Sequence, residues 1–176
     1  MISTQYFSDC IAQAFQTACE KGWHDGEQLP MTSRQEIAVK LALIHAELTE
    51  AYDEWTADLQ RVTPAVKVEL ADVAIRLFDL MGAVGVAKFP NVTEFVAQCG
   101  SFEAMLLDIH SHVSSAVECL READLQFPEV LHWKLAIVVM RLFTVCDGMG
   151  IDLRPSVAEK MEKNKGRPHR HGGKLL

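Results

Sequence analysis

No two of the five cysteines, Cys10, Cys19, Cys99, Cys119 and Cys146, form a Cys-x-x-Cys pair or a metal-finger spacing, so a cysteine-based zinc site is excluded. Most of them lie among apolar neighbours, where a free thiol behaves as a small hydrophobe. No apolar run approaches the ~20 residues that a membrane helix needs, and the N-terminus lacks the basic, apolar and small-residue succession of a secretion signal. The expectation is a cytoplasmic protein with no membrane partner. Positive charge is not in surplus either. A net charge of −7 argues against broad attraction to nucleic acid or anionic lipid, while leaving room for a local basic site.

Strand-like alternation is weak throughout, and what remains is helical periodicity. With 176 residues and 49% apolar content, the chain can bury one substantial core. Phe7, Ile11, Ala14, Phe15 and Ala18 mark a helix over 3–21 that Gly22 stops. Gly26 and Pro30 mark a loop. Thr32 or Ser33, with Glu36 placed for a capping box, opens a helix reaching about Trp55. Pro64 opens another that reaches Met81, ended by Gly82 and Gly85, and the stretch through Lys88-Phe-Pro-Asn91 reads as irregular or as a short helix. Two more helices are expected over 101–121 and 129–147, split by Phe127-Pro128, and a last one from about Ser156. The expected fold is a single all-α domain over 1–176, built of packed helical hairpins.

Within those helices stand two acidic pairs, Glu47-Leu-Thr-Glu50 and Glu69-Leu-Ala-Asp72, with eighteen residues between them. Residues three apart share a helix face. Each pair borders an apolar stripe, Leu41, Ile44, Leu48, Ala51 and Trp55 in one case and Val66, Leu70, Val73, Leu77 and Leu80 in the other. Such acids either solvate a wet flank or converge on a hard cation, Mg²⁺ or Mn²⁺, that bridges carboxylates to phosphates.

A shift of 65 residues aligns Leu41, Ile44, His45 and Ala51 with Leu106, Ile109, His110 and Ala116. The same shift carries Leu70, Ala71, Val73, Arg76, Leu77 and Phe78 onto Leu135, Ala136, Val138, Arg141, Leu142 and Phe143, and Gly85 onto Gly150. This suggests a duplicated hairpin, approximately 36–86 and 101–151. The acids are missing from the second copy: Glu47 meets His112, Glu50 meets Ser115, Glu69 meets Lys134 and Asp72 meets Ile137. One acidic site per chain is the expectation.

The opposite charge lies near the C-terminus, where Lys160, Asn164 and Arg167 precede Pro168, His169, Arg170, His171 and Lys174. These groups have the reach to contact phosphate oxygens, or they form a solvated tail. Trp23, Tyr52 and Trp55 are candidates to stack on a base, although Tyr52 and Trp55 also fit the edge of a core stripe. Glu54, four beyond Glu50, is either an additional acid or surface, and Asp53 flanks it. His45 recurs as His110 where the acids do not, which favours a structural role. Asp79 could extend the face of Asp72, and Arg76 between them could neutralise that face; because Arg76 recurs as Arg141, a structural ion pair or cap interaction is favoured for it over substrate contact. His112, His169 and His171 make no convincing zinc set.

Taken in order, ExxE as Glu47–Glu50, ExxD as Glu69–Asp72, Lys21-Gly-Trp23 ahead of them, and the closing Glu159-Lys-Met-Glu-Lys-Asn164, Arg167-Pro168 and His171-Gly-Gly-Lys174 resemble the MazG-like branch of the all-α nucleoside triphosphate pyrophosphohydrolases. The resemblance spans about residues 15–174. It implies that Glu47, Glu50, Glu69 and Asp72 bind Mg²⁺, with Mn²⁺ as a substitute, and that a nucleoside triphosphate is hydrolysed between its α and β phosphates. It also implies phosphate contacts from Lys160, Asn164 and Arg167. The simplest members have one acidic hairpin and dimerise; here the second hairpin stands where a partner would, as in the related duplicated dUTPases. A homodimer remains the expectation. The competing readings are a non-catalytic helical protein that binds a metal or nucleotide, and a nucleic-acid binder using 160–174, which the acidic chain disfavours.

Overall fold

The computed structural model describes residues 2–90, 99–122 and 127–173, and these are helical, turn or irregular with no strand among them. The chain is all-α. Among the described residues, six helices carry the fold: α1 (Thr4–Glu20), α2 (Arg34–Ala57), α3 (Pro64–Ala83), α4 (Phe102–Cys119), α5 (Phe127–Gly148) and α6 (Arg154–Lys165). A distorted turn follows at Arg170–Gly173.

Local chemistry sets most of the boundaries. Ser33 Oγ accepts from the Glu36 N–H at 3.3 Å, Thr63 Oγ1 from the Val66 N–H at 3.3 Å and Ser101 Oγ from the Ala104 N–H at 3.2 Å, each satisfying a donor that the first helical turn leaves unpaired. Pro64 sits in the first turn of α3, where its missing N–H costs nothing. The same logic corrects two expectations. Phe127-Pro128, expected to split two helices ahead of residue 129, itself forms the first turn of the second, α5, and α6 begins at Arg154, ahead of Ser156, with Pro155 in its first turn. The stretch 86–90 is irregular, as expected. Asn91 and Lys174 lie outside the described residues.

Helices α3 and α5 end alike. Gly85 and Gly150 take left-handed backbone, φ 91° and 75°. The Val86 N–H returns to Met81 O at 2.9 Å and the Ile151 N–H to Cys146 O at 2.8 Å. Both are the six-residue closure of a Schellman turn, and they lie 65 residues apart. A side chain at either glycine would strain this closure.

Helix α3 is the centre of the bundle, packed against α1, α2, α5 and α6, while α4 packs on α2 and α5. Its Val66, Leu70, Val73, Leu77, Phe78, Leu80 and Met81 are fully buried. Burying each such side chain is worth roughly 1.5–3 kcal/mol, and Phe78→Ala would cost about 3–5 kcal/mol. Two contacts join a residue to its own counterpart at the 65-residue shift. His45 stacks on His110 with ring centroids 4.9 Å apart, and Phe78 meets Phe143 at 6.2 Å. No described helix is long and apolar enough to cross a membrane.

Candidate metal and phosphate site

Glu47 sits on α2 within the turn that buries Ile44, Leu48 and Ala51, and packing leaves it only 7% exposed. Glu50, one turn on, is exposed, and Glu69 on α3 is partly buried. The α2–α3 hairpin brings one oxygen from each of these three acids within 4.8 Å of the others. All three are hard donors suited to Mg²⁺, Mn²⁺ or Ca²⁺. Burial raises the Glu47 pKa, opposed by Arg76 and reinforced by the charges of Asp72 and Glu50. Burial likewise raises that of Glu69, reinforced by Asp72 and opposed by Lys160. Carboxylates crowded this way resist ionising together, and a cation among them relieves the repulsion.

Asp72, expected as a fourth ligand, is not among the three carboxylates that converge; its Oδ2 accepts a hydrogen bond from Lys160 Nζ on α6. Glu47 is also partnered: Arg76 Nε donates to its Oε1 at 2.5 Å. The structural ion pair expected of Arg76 is therefore present, with Glu47 as its partner. Asp79 faces His24 instead, with His24 Nε2 2.7 Å from its Oδ1. The other ring nitrogen of His24 contacts Glu27. Burial of the ring works to lower its pKa, but the hydrogen bond and charge of Asp79 and the hydrogen bond of Glu27 outweigh burial and the charge of Lys40 and raise it, favouring an imidazolium that donates to both. Lys40 Nζ lies 3.5 Å from Glu27.

This alternating array was not read from the sequence as a unit. His24 and Glu27 lie in a loop with no period to place them. A step of seven along each helix would have drawn in Lys40 beside Glu47, just as it drew attention to Asp79 beyond Asp72.

The third wall is the C-terminal segment. α6 buries Val157 and Met161, and Lys160, Asn164 and then Arg167 face the same cleft as the acids. That cleft has a volume of about 520 Å³, and Glu47, Glu50, Glu69, Asp72, Lys160, Asn164 and Arg167 all line it. Asn164 Oδ1 is buried with no hydrogen-bond partner among the described residues, a condition that costs about 1–3 kcal/mol unless something fills the need. Turned over, the amide would present N–H donors at that place.

The segment beyond α6 is docked rather than free. The Arg170 N–H donates to Lys21 O at 2.8 Å and its Nε to Gly22 O at 2.9 Å, while His169 Nε2 meets Asp25 Oδ2 at 2.9 Å. Gly22 is required here. Its φ is 77°, and a Cβ would fall 1.9 Å from His169 Nε2. Trp23 meets His171 edge-to-face at 5.1 Å and both line the cleft. Of the other aromatic candidates, Trp55 is buried against Phe102 at 5.2 Å, and Tyr52 is exposed outside the cleft lining, as are Asp53 and Glu54. No protein-family model, curated protein or solved structure matches the chain.

Proposed function

We propose that the chain is a Mg²⁺-dependent nucleoside triphosphate pyrophosphohydrolase of MazG-like type. The observation that carries this reading is the meeting, in one cleft, of the paired carboxylates Glu47, Glu50, Glu69 and Asp72 with the phosphate-directed groups Lys160, Asn164 and Arg167. A triphosphate carries roughly four negative charges, so an acidic wall accepts it only through intervening cations. The donor set and the partnerless Asn164 amide fit that requirement.

A divalent cation held by these oxygens would bridge them to phosphate, draw charge from phosphorus and lower the pKa of a bound water. Glu47 and Glu69 are the buried and half-buried anchors. Asp72 would be a further oxygen donor if Lys160, which donates to it here, turned instead to a phosphate. Glu50, the exposed member of the triple, is placed to orient the attacking water and take its proton, with Glu47 as the second choice. Attack at Pα breaks its bond to the bridging oxygen and releases a nucleoside monophosphate and pyrophosphate. Lys160, Arg167 and the Asn164 amide hold the departing charge.

The test is product chromatography of standard, deoxy and oxidised nucleoside triphosphates, with ppGpp-type compounds, incubated with Mg²⁺ in ¹⁸O-labelled water. Label in the monophosphate and unlabelled pyrophosphate is the expected result. Inorganic phosphate as the first product would reject attack at Pα. The second reading, a non-catalytic binder of metal or nucleotide, is favoured by the two ion pairs that already occupy Glu47 and Asp72. Binding without turnover of any compound would select it. Cytoplasmic location and a homodimer belong to the same proposal; Leu107, 71% exposed on α4, is apolar surface that a second copy would cover, and light scattering would measure the mass.

A further inference from the structure

At the 65-residue shift, the acid positions of the first hairpin become a different set of groups. His112 and Ser115 on α4, with Lys134 and Ile137 on α5, line a separate hollow of about 150 Å³ whose rim is Trp133. Its chemistry is inverted in sign. Lys134 Nζ donates to Ser115 Oγ at 2.7 Å. An ammonium carries three N–H donors and this contact uses one, while the Ser115 hydroxyl keeps its own proton to donate. His112 adds an imidazole beside them. Asp108 Oδ1 lies 3.9 Å from His112 Nε2, and Asp108 is held by Arg141, whose Nε donates to it at 2.9 Å. Ile137, where the first hairpin has Asp72, gives an apolar and nearly buried floor at 5% exposure.

Among the described residues no acid lines the hollow, and a cation, a hydroxyl and an imidazole around a small concavity suit an anion. The hollow has room for a phosphoryl group and not for a nucleoside. Trp133, however, is 50% exposed at its rim. An indole left half in water beside that hollow offers a stacking surface for a planar ring. We propose that His112, Ser115, Lys134 and Trp133 form a second, metal-independent site that binds a nucleoside monophosphate, its phosphate in the hollow and its base on Trp133. The proposal uses no residue of the acidic cleft and stands whether or not that cleft turns over a triphosphate.

The experiment is a protein-observed NMR titration of the full chain, without divalent metal, using adenosine 5′-monophosphate, inorganic phosphate and adenosine as separate probes. The monophosphate is expected to shift both the Trp133 indole N–H and the His112 ring signals. Inorganic phosphate should shift His112 alone, and adenosine should bind most weakly. Lys134→Met should weaken monophosphate binding at least tenfold, Lys134→Arg should retain it, and Trp133→Ala should weaken the monophosphate while leaving inorganic phosphate unchanged. The double variant Glu47→Gln, Glu69→Gln should bind as the parent does. Shifts confined to Trp23 and Asn164, Trp133 shifts that survive Lys134→Met, or no shift with any probe would each overturn the site. Response to inorganic phosphate alone would overturn the nucleotide assignment.

Discussion

Glu50 and Asp72 differ in how the fold holds them, and that difference sets what their removal should do. Glu50 is exposed and has no hydrogen bond or ion pair among the described residues, so Glu50→Ala should leave the helical circular dichroism intact while turnover falls by about 10²–10⁴-fold, the range for a lost general base. Near-normal kcat would remove Glu50 from the catalytic set. Asp72 is tied to Lys160 across the α3–α6 contact. Asp72→Ala should therefore abolish turnover and also loosen α6, lowering Tm modestly, because a partly buried ammonium would lose its counter-charge. Retained activity would show that the triple Glu47, Glu50 and Glu69 suffices. At this scale the sequence was informative about which acids share a face and silent about which cations hold them. Spacing of three placed Glu47 with Glu50 and Glu69 with Asp72, but the pairing of Arg76 with Glu47 across 29 residues and of Lys160 with Asp72 across 88 depends on how α3 packs against α2 and α6.

Helix boundaries were legible where a side chain does the capping. Ser33, Thr63 and Ser101 each sit where their hydroxyl meets an unpaired N–H, and Gly85 and Gly150 where the chain turns left-handed. They were misread where proline serves as a first-turn residue, at Pro128 and Pro155, because the same residue also breaks helices. The loop holding His24 carried no signal, since its two carboxylate partners lie three and 55 residues away. The elements themselves give two tests. Cutting the chain after Val157 would strip the buried Met161 from α3 along with the phosphate groups, so the point variants Asn164→Ala and Arg167→Ala carry the question of whether α6 and its extension contact substrate. Each lost charge-assisted contact is worth about 1.5–3 kcal/mol before solvent screening, so kcat/KM should fall by roughly tenfold or more per variant, most for triphosphates. Unchanged kinetics in both would leave α6 as structural cover. The α2–α4 contact gives a pH dependence. Burial lowers the pKa of His45, and burial and then His45 lower that of His110. The unfolded chain takes up protons near the ordinary 6.5 and the folded chain resists, so the pair's contribution to stability is present above 6.5 and lost as pH falls through that value towards the depressed folded pKa. The pair's share of Tm should drop from about pH 7.5 to about pH 5.5 against the opposite contribution of His24, whose pKa is raised, so Tm in His110→Gln, which keeps a polar partner for His45, should fall less or rise more over this range than in the parent. An equal slope in the variant would exclude the pair as the cause. Glu47 and Glu69, with raised pKa, act in the opposite sense.

Across the whole molecule, α2–α3 and α4–α5 meet through self-matched contacts, His45 with His110 and Phe78 with Phe143, yet only one half carries the acids. The asymmetry extends beyond the substitutions themselves. Helix α6 packs on α3 and α1, so the first hairpin is walled by a third element and encloses about 520 Å³, while the hollow of the second is about 150 Å³. A metal–triphosphate complex needs both the carboxylates and the room, and one place among the described residues has the two together. Calorimetry with Mn²⁺ and a non-hydrolysable triphosphate analogue should therefore give one metal-dependent nucleotide site per chain, whether the chain is single or paired. Glu47→Gln with Glu69→Gln should eliminate it, since removing two of three clustered charges leaves Glu50 to hold the cation alone and metal affinity depends strongly on ligand charge count. His112→Ala with Lys134→Met should leave its stoichiometry and affinity within experimental error, because both residues face the other hollow. Two equivalent Mn²⁺-dependent sites per chain would mean that the second hairpin recruits ligands from elsewhere in the chain or from a second copy, and half a site per chain would mean that the cleft is completed only in a dimer.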